Sequence, residues 1–212
     1  MSSIATRLDE LAAWGVDLDL IRLNLSWSPD HRLEVMEGII QVGIQSRQQT
    51  LDPERHADLL RLHFSSPLPL LRQLRHVRVI CIGRLAAILQ GVPGVSYTLD
   101  LCFDKQDRQL IRLVEALSPF TPCPPITVAD LHTAMPIEID TSLVVVRLFP
   151  SISGIGDYAH AIQHSRLLDM NEVAVRVLTF DALQKSMSVA SDRDNEFFLP
   201  LLEATALLQR AA

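Results

Sequence analysis

Asp100, Cys102 and Asp104 alternate in the run Asp-Leu-Cys-Phe-Asp, so an extended backbone points all three side chains to one side. Glu138 and Asp140 repeat that alternation further along. Carboxylates are the natural oxygen ligands of hard divalent cations. His160 and His164 stand four apart with Asp157 three residues earlier, a spacing that on a helix permits a metal site. The Glu of a His-Glu-x-x-His motif is missing, so a surface histidine pair is the plainer reading. Cys81 and Cys102 sit among apolar residues and read as small buried hydrophobes. No Cys-His or Ser-His-Asp signature accompanies them, which leaves covalent hydrolysis without support. Gly154-Ile-Gly156 lacks the rest of a dinucleotide fingerprint and reads as a turn. Arg72, Arg75, Arg78 and Arg84 form a local basic cluster, either paired with carboxylates and solvated or available to an anion or RNA.

The elements that must position these groups change character near residue 76. Residues 1–75 read as an N-terminal helical segment. Ser28-Pro29-Asp30 is a helix start, and Leu33, Met36, Ile39, Ile40 and Ile44 then recur near a 3.6-residue period over residues 28–48. Residues 53–64 form a second amphipathic stretch, with Ala57, Leu60 and Phe64 on one face, ended by Ser-Ser-Pro-Leu-Pro. From there, residues 77–82, 96–103, 137–140, 143–149 and 173–178 have the composition and alternation of strands. Residues 85–89, 106–117 and 157–167 read as helices, Thr179-Phe-Asp opens another, and residues 199–209 form a last one. Residues 118–125 carry too many prolines for a regular element. Strands mixed with helices, and a hairpin at Thr141-Ser142, predict an α/β or α+β fold with a mixed sheet over residues 76–212.

Composition bounds the function. The 212 residues are 48% apolar and 21% charged, which excludes disorder as the dominant state. A formal net charge of −6 disfavours broad nucleic-acid binding. Three scattered cysteines make neither a disulfide framework nor a cysteine-based zinc site. The longest apolar stretch is interrupted at Arg84, and no charged leader precedes an apolar run. The expectation is a cytoplasmic protein without a membrane span.

Residues 82–103, Ile-Gly-Arg-Leu-Ala-Ala-Ile-Leu-Gln-Gly-Val-Pro-Gly-Val-Ser-Tyr-Thr-Leu-Asp-Leu-Cys-Phe, resemble the opening motif of the nucleotidyltransferase fold, in its minimal-nucleotidyltransferase and abortive-infection-toxin branch. In that motif a strand ends in Gly-Gly or Gly-Ser, a short helix follows, and the next strand carries Asp-x-Asp. Gly-Ile-Gly-Asp-Tyr at 154–158 and Val-Arg-Val-Leu-Thr-Phe-Asp-Ala-Leu at 175–183 resemble later blocks of the same group. The resemblance spans about residues 77–209. It implies a mixed sheet flanked by helices, nucleotide phosphates held at Gly83 and Arg84 on a helix N-terminus, and three carboxylates holding two magnesium ions against a nucleoside triphosphate.

Carried over position by position, that chemistry is incomplete. Gly83 matches the first turn glycine, but Arg84 stands at the second position. Asp100 matches the first metal acid, Cys102 replaces the second, and the third falls on Arg147. Basic positions near the C-terminus fall on Met187, Ser188 and Asp192, with Arg193 alone nearby. Arg147 beside Asp100 is expected to pair with it and compete with a metal. Glu138 and Asp140 are the substitute ligands available to Asp100. The resemblance thus implies a catalytically degenerate, pseudoenzyme-like binding or regulatory module, of a toxin–antitoxin or phage-defence kind, needing no cofactor and working through a protein partner or a second copy. The alternative is an active transferase using magnesium and a nucleoside triphosphate, with Asp100, Glu138 and Asp140 as its ligands and a protein, RNA or small-molecule hydroxyl as acceptor.

Overall fold

The β-branched run at Val79–Ile82 suits a strand covered on both faces, and it forms β1 inside a six-stranded sheet. A computed structural model of the chain describes residues 3–50, 64–171, 173–189 and 193–211. Most of the proposed amphipathic stretch at residues 53–64 and position 192 lie outside the described residues. The sheet also contains β2 (Thr98–Phe103), β3 (Ile137–Ile139), β4 (Val145–Phe149), β7 (Ser165–Met170) and β8 (Val173–Leu178), in the order β3-β4-β2-β1-β8-β7. Strands β1 and β2, β3 and β4, and β7 and β8 pair antiparallel, whereas β1–β8 and β2–β4 are parallel. Between β4 and β7 lies a small hairpin of β5 (Ser151–Ile152) and β6 (Gly156–Asp157).

Helices α1 (Ile4–Ala13), α2 (Leu18–Ser26), α3 (Pro29–Thr50) and α4 (Leu68–Gln73) precede the sheet. Helix α5 (Gly83–Leu89) joins β1 to β2, and α6 (Asp107–Leu117) and α7 (Val128–Leu131) join β2 to β3. Helix α8 (Tyr158–Ala161) precedes β7, and α9 (Phe180–Val189) and α10 (Arg193–Ala211) follow β8. The result is a mixed α/β fold whose sheet is flanked by helices. No described helix is long and apolar enough to cross a membrane.

One expected element is replaced. The stretch at 157–167 is not a single helix: α8 lasts one turn, a 3-10 turn covers Ile162–His164, and β7 begins at Ser165. Asp157 does cap α8, its carboxylate accepting the His160 N–H at 3.1 Å. The helix ends there because residues 165–170 pair along their whole length with β8, and short apolar runs do not distinguish a helix from an edge strand until such a partner exists. The proline-rich segment at 118–125 makes a 3-10 turn at Ser118–Phe120 and a lone bridge from Cys123 to Asp140.

Among the described residues, two hydrophobic clusters form. The larger joins Leu33, Met36 and Ile40 of α3 to the sheet and its flanking helices. The smaller consists of Leu8 and Leu11 of α1, Ile21 of α2 and Ala204 of α10. Opposite ends of the described chain therefore share one core. Arg7 fastens that contact, donating from Nε and Nη2 to both carboxylate oxygens of Glu203 at 2.7 and 3.0 Å.

Arg32 joins α3 to the rest with no acidic partner in hydrogen-bond reach among the described residues. Its Nε donates to the Asn24 carbonyl at 2.7 Å, Nη2 to Leu25 at 3.1 Å and Nη1 to Leu89 at 2.6 Å. The buried guanidinium thus satisfies carbonyls at the C-terminal ends of α2 and α5, where the helix dipole is negative. Burial and the neighbouring Arg166 charge lower its pKa from the ordinary arginine value. Replacing it strands those carbonyls. Arg32→Met is expected to lower unfolding stability by about 2–4 kcal/mol in urea titration, and Arg32→Lys should recover less than half of that because one ammonium cannot span both helix ends.

Candidate functional site

Asp100 reaches the site because β1 and β2 are antiparallel in a register that places it opposite Ile82, the residue just before Gly83. Gly83 opens α5 at φ +67°, in the left-handed region that favours glycine. A β-carbon added there would fall 2.6 Å from Asp100 Oδ2, so the carboxylate lies directly against the glycine. Strand, glycine, short helix and acid-bearing strand thus follow one another in the order the sequence motif suggested. Arg84, the next residue, lays its guanidinium over the Phe198 ring at 5.6 Å.

On the other side of Asp100 runs β4, parallel to β2 and in a register that pairs Asp100 with Arg147. Arg147 Nε donates to Asp100 Oδ1 and Nη2 to Oδ2, each at 2.7 Å. This side-on arrangement uses both carboxylate oxygens at once. Nη2 also donates to Thr98 Oγ1 at 3.1 Å, and the guanidinium stands 6.0 Å from the Phe149 ring. The Asp100 side chain is only 10% exposed, whereas that of Arg147 is 40% exposed, so one edge of the pair faces solvent.

The remaining candidates are distributed around this pair. Cys102 follows Asp100 on the same face of β2 and is fully buried. Burial, with a smaller contribution from Asp157, pushes its thiol up to about 12. Cys81 is displaced upward too, by burial first and the Asp100 charge second. Burial disfavours the thiolate at both sulfurs, so neither is set up as a nucleophile. Glu138 is exposed on the edge strand β3 and in register with Arg147. It is two strands from Asp100, about 10 Å between backbones at the usual strand spacing, with Arg147 between them. Asp140 lies one step further, just beyond β3, and its backbone pairs with Cys123. Asp104 has left the strand and pairs with Arg78 at 3.3 Å.

The acid set needed for a pair of magnesium ions does not fit this arrangement. Asp100 has both oxygens engaged by a cation, Cys102 is a neutral thiol, and Glu138 and Asp140 are not brought to Asp100. Among the described residues, no three His, Cys, Asp or Glu side chains gather as a metal set. Of the C-terminal positions, Met187 is buried in the core and Ser188 is exposed.

His160 Nδ1 lies 2.6 Å from Asp157 Oδ1, and that hydrogen bond holds the Asp157 carboxyl below its ordinary range. His164 falls in the following 3-10 turn, so the two histidines do not form an i, i+4 pair on one α-helix. Sequence reasoning missed Thr98 and Phe149 as the groups that orient Arg147. Their signal was the alternation itself, since Thr98 shares a strand face with Asp100 and Phe149 with Arg147.

Comparison with known proteins adds no relative: the chain matches no protein-family model, and no curated protein is significantly similar to it.

Two outcomes test this geometry. Under native conditions a thiol reagent such as DTNB should titrate exposed Cys123 alone, with Cys81 and Cys102 reacting only after unfolding. In a double-mutant cycle, Asp100→Asn should cost about 1–3 kcal/mol of stability, and the Asp100→Asn, Arg147→Met double variant should cost less than the sum of the single changes.

Proposed function

We propose that this protein is a degenerate relative of the nucleotidyltransferase fold, acting as a binding or regulatory module without transfer chemistry. The observation that carries the reading is the side-on Arg147–Asp100 pair. Position 147 is where the motif's third acid is expected, and it lies beside the first. An acid there would enlarge a shared negative pocket, but the arginine cancels the charge that is left. A dication at Asp100 would have to displace two 2.7 Å charge-assisted hydrogen bonds and then sit beside a guanidinium. Cys102 offers no compensating anion.

Several features support the family part of the reading. The chain has the sequence blocks in order, and the strand–glycine–helix–strand arrangement has Gly83 against Asp100. The module works through a protein partner or a second copy, in a toxin–antitoxin or phage-defence setting. Any nucleotide it binds at Gly83 and Arg84 is not turned over.

The test is a labelled-nucleotide transfer assay with magnesium and each nucleoside triphosphate, alongside calorimetric titration of magnesium alone. No label should transfer and no magnesium heat should appear. Label transfer that is lost in Asp100→Ala would refute the proposal. The combined Cys102→Asp, Arg147→Asp variant, which restores three neighbouring carboxylates, should gain magnesium binding that the native chain lacks.

A further inference from the structure

Strands β1 and β8 run parallel but meet in register only at Cys81 and Val177. Next to this short pairing is a cavity of about 310 Å³, walled by residues of both strands, the turn after α4, and Tyr158 of α8. That volume is at the lower end of the range for small-molecule sites, roughly 300–1,000 Å³. Asp100, Arg147, Gly83 and Arg84 are not among its walls, so it is separate from the site described above.

Its charge is lopsided. Arg75 and Arg78 enter from the chain leading into β1, and Arg176 enters from β8; no lining residue is acidic. Arg78 is matched by Asp104 at 3.3 Å. Arg176 donates to the neutral Ser165 hydroxyl at 3.2 Å, and Arg75 Nε donates to His76 Nε2 at 3.0 Å. Among the described residues, three guanidinium groups stand against one carboxylate, a local charge of two positives. They stand in a chain whose formal net charge is −6. The remaining wall is apolar, including Leu74, Leu101 and Val175, with the half-buried Tyr158 ring among them. Burial raises the Tyr158 pKa, so its hydroxyl keeps its proton and can donate.

We propose that this cavity binds a phosphate monoester carrying a small, flat, largely apolar organic group. Two uncompensated guanidinium charges match the charge of about −1.5 to −2 on a phosphate monoester near neutral pH, whereas a carboxylate would leave one of them unanswered. Planar guanidinium groups suit phosphate oxygens. The apolar wall and the tyrosine ring accept the organic group, which free phosphate lacks.

Calorimetric titration of the full chain with phenyl phosphate tests the assignment, with benzoate and inorganic phosphate as comparison probes. Phenyl phosphate should bind, and each comparison probe should bind at least ~10-fold more weakly. Arg176→Gln should weaken phenyl phosphate binding by ~10-fold or more. Arg75→Gln, at an exposed position, should weaken it in the same direction and serves if the first variant does not fold. The absence of phenyl phosphate binding at millimolar concentration would overturn the proposal, as would equal binding of benzoate or affinity unchanged in both variants. Binding lost in Arg147→Met but kept in Arg176→Gln would put the anion at Arg147 and overturn it too. These readouts are independent of magnesium and of nucleotide transfer, so they stand or fall apart from the proposed function.

Discussion

The contact between Arg147 and Asp100 decides what this sheet can do. A carboxylate buried to this degree needs a partner, and the nearest in-register position on the adjacent strand supplies one. Because the guanidinium meets it side-on, both oxygens already face a cation that a metal would have to displace or sit beside. Thr98 and Phe149 hold the guanidinium from two further directions, so the cation is fixed and not merely nearby. Gly83 is bound to the same arrangement: with the carboxylate pressed against its Cα, a side chain there would collide with the ion pair. Strand, turn and helix are thus arranged around a neutralised charge.

Glu138, Arg147, Asp100 and Ile82 occupy one row across four strands. A row of acid, cation, acid and aliphatic is electrostatically self-contained. Replacing the cation by a third acid would reverse that, giving three like charges at strand spacing that only a bound dication could relieve.

Much of this was legible in the sequence. The strand character of β1, β2, β4 and β8 followed from β-branched runs and alternation, and α3 and α6 from apolar spacing. The neighbourhood of Asp100 and Arg147 followed from a resemblance that aligned position 147 with a missing acid. What could not be read was anything set by a distant partner. Strand β7 has helix-like apolar spacing and becomes a strand only because β8 is beside it. Arg32 appears as one more helix-surface cation until three carbonyls from two other helices converge on it. The arginine cluster at 72–84 divides in three dimensions: Arg75 and Arg78 face the cavity with Arg176, and Arg84 stacks on Phe198. Nothing local to Arg176 signals that companionship.

The joint between α1, α2 and α10 sets an order of events during synthesis. Ala204 and Glu203, which complete the packing of Leu8, Leu11 and Ile21 and pair with Arg7, emerge from the ribosome more than 170 residues after them. At ordinary elongation rates of about 5–20 residues per second, the first helices wait some ten seconds or longer before their neighbour exists. Over that interval their apolar faces are open to other contacts, and closure of the smaller core is a late, post-sheet event. A nascent chain of this design depends on α10 to shelter α1 and α2.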